Sequence, residues 1–284
     1  MTILVTGATG QLGRLVIDSL LARGAEPQSI VAGARDTARA ADLATRGVRV
    51  ARLDYSEPAT VAAALEGVDS VLLISGSEVG QRVPQHQAVI DAAKVAGVGK
   101  FVYTSAPKAT TSDLVLAPEH KATEEAIGRS GLPAVILRNN WYTENFAGDL
   151  TAARETGVLT AAAGAGRVAS ASRADFAEAA AVVLSEDGHI GSVYELGGDT
   201  AWDYRDLAAA MSDVLGRPVE YRNVTVDERA TALEAAGLDA DTARFFAAID
   251  TGIENGALAY TDGTLARLIG RPTTPLAEGL SIIA

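Results

Sequence analysis

The stretch Ile3-Leu4-Val5-Thr6-Gly7-Ala8-Thr9-Gly10-Gln11-Leu12-Gly13 decides the fold. A short apolar run passes straight into a glycine-spaced turn, and the turn opens a helical pattern over residues 12–23. A parallel strand that ends in a turn without side chains brings backbone close to a ligand's diphosphate. The helix behind it aims its first N–H groups and its positive dipole end at the phosphates. Gly7 is expected to permit the tight turn, Gly10 to let the backbone approach the phosphates, and Gly13 to let the helix lie close on the sheet. A glycine triplet alone is common; the strand before it and the helix after it make this one an expectation of nucleotide binding. The bland alternative is a strand–helix turn that needs glycine only for packing.

Working outward, strands read at residues 2–6, 29–34, 48–53, 70–75, 101–105 and 134–138. Most are continuous apolar runs, as strands covered on both faces require. Helical patterns at 12–23, 37–46, 58–66, 84–96 and 119–129 lie between them, and Gly47, Gly67, Gly97 and Gly131 stand just past the last four. Such alternation predicts an α/β fold: a Rossmann-type doubly wound parallel sheet with its ligand at the carboxyl ends of the strands. The second half is less regular, with helices at 174–184, 204–215, 227–238 and 242–255 and strands at 193–196 and 219–223. We expect a dinucleotide-binding domain over 1–156, with 174–196 returning to it, and a smaller C-terminal α/β lobe over 157–173 and 197–284 that covers the substrate.

Composition narrows the class. The chain has 284 residues, 48% of them hydrophobic, so it can bury a large core. It has no cysteine, which excludes disulfide scaffolds and thiol catalysis and fits a reducing cytoplasm. No cationic start precedes an apolar run, and no apolar stretch is long enough to span a bilayer. A formal charge of −12 argues against a nucleic-acid surface. His86, His120 and His189 are scattered and carry no metal-ligand spacing, so no metal is expected. Neither a serine-hydrolase elbow nor a phosphate loop ending in Gly-Lys-Ser or Gly-Lys-Thr is present.

The end of the second strand discriminates between the nicotinamide cofactors. A site selective for NAD places an acid there to bond the ribose hydroxyls. This strand ends Ala32-Gly33-Ala34-Arg35. Arg35 can stack on adenine and pair with a 2′-phosphate through its planar fork, and Arg14 and Arg39 can add charge. NADPH is therefore expected over NADH. Asp54 and Tyr55 follow the third strand, where a side chain reaches the adenine edge. Ser75, Gly76 and Ser77 follow the fourth, where small residues let backbone lie against a ribose, and Ser105 ends the fifth.

Catalysis departs from the usual pattern. Short-chain reductases place Tyr-x-x-x-Lys on the helix after the fifth strand, the lysine lowering the tyrosine's pKa so that it protonates a nascent alkoxide. Here that helix reads Leu116-Ala117-Pro118-Glu119-His120-Lys121, and neither His120 nor Lys121 has a tyrosine four residues before it. Hydride addition to an isolated ketone makes an alkoxide, comparable to hydroxide from water of pKa about 15.7. Addition to a quinone makes a phenolate of pKa about 10, a difference of roughly 7 kcal/mol in proton demand. The missing acid thus disfavours plain alcohol chemistry and leaves quinone reduction open. Donors for a quinone oxygen follow the sixth strand in Asn139-Asn140-Trp141-Tyr142-Thr143-Glu144-Asn145-Phe146. Asn139, Asn140 and Tyr142 are the candidate catalytic residues; Trp141 and Tyr142 can wall an aromatic ring, and Trp141 or Phe146 is expected to anchor the second lobe.

These stretches resemble the NmrA-like atypical short-chain dehydrogenases/reductases, and more narrowly the bacterial NAD(P)H:quinone oxidoreductase 2 group. The resemblance rests on residues 7–13, on Leu73-Ile74-Ser75-Gly76-Ser77-Glu78-Val79-Gly80-Gln81-Arg82, and on 138–145, 169–175, 193–196 and 269–274. It covers nearly the whole chain. It implies an NADPH-dependent, flavin-free reductase that passes a hydride to quinones. Gly7, Thr9, Gly10, Gln11, Leu12, Gly13, Arg35, Asp54, Tyr55, Ser75, Gly76, Ser77, Ser105, Asn139, Asn140, Trp141, Tyr142, Glu144 and Arg173 would then bind the cofactor. Gly76 departs from a more usual serine-rich run, which removes a hydroxyl but leaves the backbone. A homodimer is compatible with this group. Two alternatives stand beside it: some NmrA-like proteins look like non-catalytic NADP(H)-binding redox sensors, and the same pocket could reduce an activated alkene or imine.

Overall fold

A computed structural model describes every residue of the chain except Val79. In chain order the first half runs β1 (Ile3–Val5), α1 (Gln11–Ala22), β2 (Ile30–Ala34), α2 (Ala41–Thr45), β3 (Arg49–Arg52), α3 (Pro58–Ala64), β4 (Ser70–Leu73), α4 (Arg82–Ala96), β5 (Lys100–Ser105), α5 (Ala117–Ser130) and β6 (Ala134–Asn139). Then come α6 (Ala147–Thr156), β7 (Val158–Ala161), β8 (Arg167–Val168), α7 (Arg173–Ser185) and β9 (Val193–Leu196). The chain finishes with β10 (Trp202–Asp203), α8 (Tyr204–Leu215), β11 (Glu220–Asn223), α9 (Val226–Ala235), α10 (Ala240–Glu254), α11 (Thr264–Ile269) and α12 (Leu276–Ser281).

Seven strands form the main sheet in the order β3-β2-β1-β4-β5-β6-β9. The pairs from β3 through β6 are parallel, with Val5 beside Ala32 on one side and Leu72 on the other. The order reverses between β1 and β4, and in open parallel sheets the ligand crevice lies at that switch point. β1, β2, β4 and β5 are buried along their whole length. Helices on both faces explain this: Val31, Leu73, Val89, Ile90, Phe101 and Tyr103 share one core cluster. On α1, Val16, Ile17 and Leu20 are buried, and α1 packs on α7. Lys100 runs its amine to the carbonyls of Val183 (3.0 Å) and Glu186 (2.6 Å), a cation placed on the negative end of α7.

Two local differences from the sequence reading have clear causes. The fourth strand stops at Leu73 rather than at residue 75. The N–H of Ile74 goes to Thr6 Oγ1 (3.0 Å) and that of Ser75 to Thr104 Oγ1 (2.9 Å), so side-chain hydroxyls replace the ladder there. The helix expected over 37–46 is a 3₁₀ turn, Thr37–Ala40, followed by the short α2. The Asp36 carboxylate accepts the N–H of Ala38 (3.0 Å) and sets that tight start.

The chain divides into two compact units. The first holds 1–110, 118–139 and 173–195; the second holds 111–117, 140–172 and 196–284. Residues 140–156, read from sequence with the first domain, belong to the second unit because Phe146, Leu150 and Ala153 enter its core with Trp202, Tyr204, Leu207, Met211 and Leu280. That unit carries two small sheets, β8 antiparallel to β10 and β7 parallel to β11. Helix α9 buries none of its residues outright. A Thr225–Glu228 capping box starts it, and Arg229 reaches Asp149 on α6 (2.9 Å) and Asp250 on α10 (3.3 Å). Burial pushes the Asp250 carboxyl up to about 6. Among the described residues no helix is long and apolar enough to cross a membrane.

Candidate dinucleotide-binding site

At the carboxyl ends of β1 to β4 the first unit carries a cleft of about 510 Å³. Gly7, Thr9, Gly10, Arg35, Asp54, Tyr55, Ser75, Gly76 and Ser77 all line it, with Asp36, Arg39, Glu78 and Gln85, which the sequence reading had not placed in a binding set apart from the charge assigned to Arg39. Gly7 sits at φ +58°, a conformation that side chains disfavour. A Cβ on Gly13 would stand 2.4 Å from the Gly7 carbonyl oxygen, so only glycine lets α1 lie this close to the turn. Gly10 caps α1 without a side-chain bond, and the first turn of α1 holds no acid, so its positive end is not neutralised by its own helix.

Arg35 extends from the end of β2 with its side chain 70% exposed. Its Nη1 stands 3.0 Å from Glu78 Oε1, while Gln85 Nε2 donates to Glu78 Oε2 at 2.9 Å. Arg39 lines the same cleft. Arg14, expected to add charge here, instead pairs with Asp42 (2.6 Å) and donates to the Arg39 carbonyl, which ties α1 to α2. Asp54 accepts the N–H of Ser56 at 2.9 Å and so forms its own turn. The Tyr55 hydroxyl donates to the Ile74 carbonyl (2.8 Å) and meets Thr6 Oγ1 (2.5 Å), leaving its ring as the part that walls the cleft. Burial pushes that phenol well above its ordinary pKa.

Beneath the cleft, buried side chains fix the loop after β4. The Gly76 N–H donates to His86 Nε2 at 3.0 Å, which makes Nε2 the acceptor and puts the proton on Nδ1. Nδ1 faces Thr123 Oγ1 at 3.0 Å, and Thr123 passes its own proton to the Glu119 carbonyl at 2.9 Å. Arg82 Nε holds the Gly76 carbonyl (2.8 Å) and its Nη1 the Glu119 carboxylate (2.8 Å), whose other oxygen accepts the Gly80 N–H (3.0 Å). Burial pushes His86 down to about 3, so it is neutral. His86 is wholly buried and acts on the loop, not on a substrate.

The other expected residues lie elsewhere. Gln11 is exposed and Leu12 buried at the start of α1. Ser105 donates to Glu124 Oε1 (2.5 Å), and Arg138 grips that carboxylate through Nε (2.9 Å) and Nη2 (2.6 Å). A third arm of Arg138 reaches Glu195 (2.8 Å), whose other oxygen accepts the N–H of Lys108 (3.0 Å). Lys108 is the one non-glycine at positive φ among the described residues, at +48°. Glu124 and Glu195 escaped the sequence reading because only the folded sheet brings them to Arg138. His120 is buried against the Tyr103 hydroxyl (2.8 Å) and pushed down to about 3, while Lys121 is exposed. Asn139 is buried at the end of β6.

The remaining candidates fall in the second unit, apart from Arg173, which opens α7 in the first. Asn140 donates to the Leu258 carbonyl (3.1 Å), and its amide oxygen accepts the Trp141 N–H (2.7 Å), so this side chain pins the second unit's own backbone. Trp141 packs on the second core, and Tyr142 and Glu144 are half-buried, Tyr142 bridging to Ala171 through its backbone. Phe146 is the anchor: it is 3% exposed and meets Trp202 edge-on at 5.3 Å. Among the described residues no group of three or more acids or histidines is placed to hold a metal ion.

A doubly wound parallel sheet with a glycine turn at its switch point and arginines at the end of its second strand defines a Rossmann-type dinucleotide-binding protein. A family profile described as NAD(P)H-binding matches residues 7–187, and the chain belongs to that family. It is 49% identical to quinone oxidoreductase 2 of Escherichia coli K12 over 98% of this chain and 97% of that one. It superposes on the crystal structure of the E. coli NADPH-dependent quinone oxidoreductase QOR2 complexed with NADPH with a TM-score of 0.95, covering 99% of both chains. The Citrobacter triphenylmethane reductase complexed with NADP(H) matches at 38% identity and a TM-score of 0.95 over the full length of both chains. The NAD(P)H azoreductase of Xenophilus azovorans is 31% identical over 97% of this chain and 96% of its own.

Proposed function

We propose that this chain is an NADPH-dependent reductase that passes a hydride to quinones. The observation that carries the reaction class is the 49% identity, over nearly the whole of both chains, to an NADPH-dependent quinone oxidoreductase. The cleft supports the cofactor independently. Its residues fit a dinucleotide: a backbone cradle at Gly7 and Gly13 that a Cβ would strain or fill, an unneutralised helix end, and two arginines where a 2′-phosphate would lie.

In this reading the turn 7–10 and the start of α1 hold the diphosphate, and Arg35 with Arg39 holds the 2′-phosphate. Tyr55 walls the adenine side, and the backbone of 75–77 lies along a ribose. When bound, reduced nicotinamide supplies the hydride from its C4. The chain's part is to hold donor and acceptor in register, which can supply much of the acceleration. Asn139, at the end of β6, offers a donor for a quinone oxygen, while Asn140 is spent on the backbone of the second unit. No buried general acid is asked for, since the product is a phenolate-like oxygen of pKa about 10. His86 and His120, both neutral and wholly or largely buried, do not supply one. The relatives' names point the same way, because quinone, azo and triphenylmethane-dye acceptors are all conjugated systems that take up hydride without leaving a localised alkoxide.

The test is turnover: purified protein, NADPH and a panel of quinones, followed by the absorbance of reduced nicotinamide. Consumption of NADPH with at least one quinone, without added flavin, is the expected result. Tight NADPH binding with no turnover on any quinone would replace this reading with that of a redox sensor.

A further inference from the structure

We propose that Glu78 competes with the cofactor's 2′-phosphate for Arg35 and thereby sets both the affinity for NADPH and its margin over NADH. The inference rests on the reading of Arg35 as the phosphate-binding residue. Glu78 is not a stray surface acid. Its carboxylate spans Arg35 Nη1 at 3.0 Å and Gln85 Nε2 at 2.9 Å, and all three residues line the cleft. Its backbone is held too: the Glu78 carbonyl accepts the Gln81 N–H at 3.1 Å, and Gly76, two residues earlier, is bonded through both its N–H and its carbonyl. These bonds hold the backbone on either side of the Glu78 side chain, which faces the guanidinium at the cleft.

Carboxylates and phosphates seek the same donors on a guanidinium fork. A phosphate monoester carries about −1.5 to −2 charges at neutral pH, so it outbids a carboxylate for Arg35 but must either displace Glu78 or accept a like charge beside it. Displacement is easy here. The pair is open to water, with side-chain exposures of 70% and 48%, and such pairs hold weakly. Gln85 also gives Glu78 a second partner to keep when Arg35 is taken. NADH presents no 2′-phosphate, so it leaves the Arg35–Glu78 pair intact and feels little of this competition. Sites selective for NAD place their acid at the end of the second strand; here the acid comes from the loop after the fourth strand and acts on the arginine that replaces it.

The experiment is a set of fluorescence titrations with NADPH and NADH on wild type, E78Q, R35A and the double variant, at low and high salt. Adenosine 2′,5′-bisphosphate and 5′-AMP serve as probes free of nicotinamide. E78Q should bind NADPH and the bisphosphate about two- to fivefold more tightly, as loss of an exposed ion pair allows, with NADH and AMP unchanged. The gain should shrink at high salt and vanish in the R35A background. E78A, read the same way, guards against a misfolded E78Q, and the melting temperature reports folding. If R35A weakens NADPH but E78Q leaves it unchanged, weakens it, or tightens NADH equally, the role given to Glu78 is wrong while that of Arg35 stands. If R35A leaves NADPH affinity untouched, the phosphate reading itself fails, and the proposal with it.

Discussion

Two arginines at the carboxyl edge of the main sheet make the same kind of bond to opposite effect. Arg35, at the end of β2, meets one carboxylate in the open, with 70% of its side chain exposed. Arg138, on β6, meets two, with its own side chain 13% exposed and those of Glu124 and Glu195 at 8% and 22%. Arg138 is doubly bonded to Glu124, which also receives Ser105, and the paired acids hold its guanidinium well above its ordinary pKa. Water screens the first pair, and a ligand can trade places with it. The second is mostly buried, and removing Glu124 leaves Arg138 with Glu195 as its remaining acid in a poorly hydrated place. The glycine-lined half of the sheet edge is thus kept negotiable, while the half around β5, β6 and β9 is locked.

The largest effect should come from breaking the lock. Glu124→Ala leaves Arg138 short of its main partner and is expected to lower the unfolding free energy by about 3–5 kcal/mol, read from denaturant midpoints. A loss no larger than that of an exposed pair would erase the contrast drawn here. Next comes Arg35→Ala, which should leave stability unchanged but weaken NADPH binding by about 1.5–3 kcal/mol, roughly ten- to a hundredfold, with NADH little affected.

The Arg229 cluster of the second unit sharpens the comparison, because there two acids share one arginine imperfectly. Burial raises Asp250 from 3.8 to about 6. The folded chain therefore holds this proton more tightly than the unfolded one, and stability should grow as pH falls through the window from about 6 to about 4. Between neutrality and pH 5 the gain is on the order of 1 kcal/mol. Melting temperatures across that range should show it, and Asp250→Asn should flatten the slope; an unchanged slope would assign the titration to other groups. The smallest effect is the two- to fivefold tightening expected of E78Q, whose shrinkage in salt separates it from the salt-resistant loss in Glu124→Ala.

The main sheet was legible because its signals are local. Val5, Val31 and Leu72 sit in unbroken apolar runs, and Gly7 and Gly13 announce a turn whose positive φ at one and close contact at the other require glycine. Arg35 could be read from its place at a strand end. What escaped was set by partners far off in sequence. Glu78 meets Arg35 across 43 residues, and Glu195 meets Arg138 across 57. In the second unit, β8 and β10 are two residues long and carry no period to detect. Asn140 shows the limit of reading residue types in a motif. An amide after a strand end suggested a ligand, but its bonds go to Leu258 and Trp141.

The neutral imidazole of His86 has a consequence for how the protein answers acid. Held down to about 3, it keeps one tautomer, and with it the bond to the Gly76 N–H, as the medium turns mildly acidic. Inflections in an activity profile between mild acidity and neutrality will therefore not arise from this support.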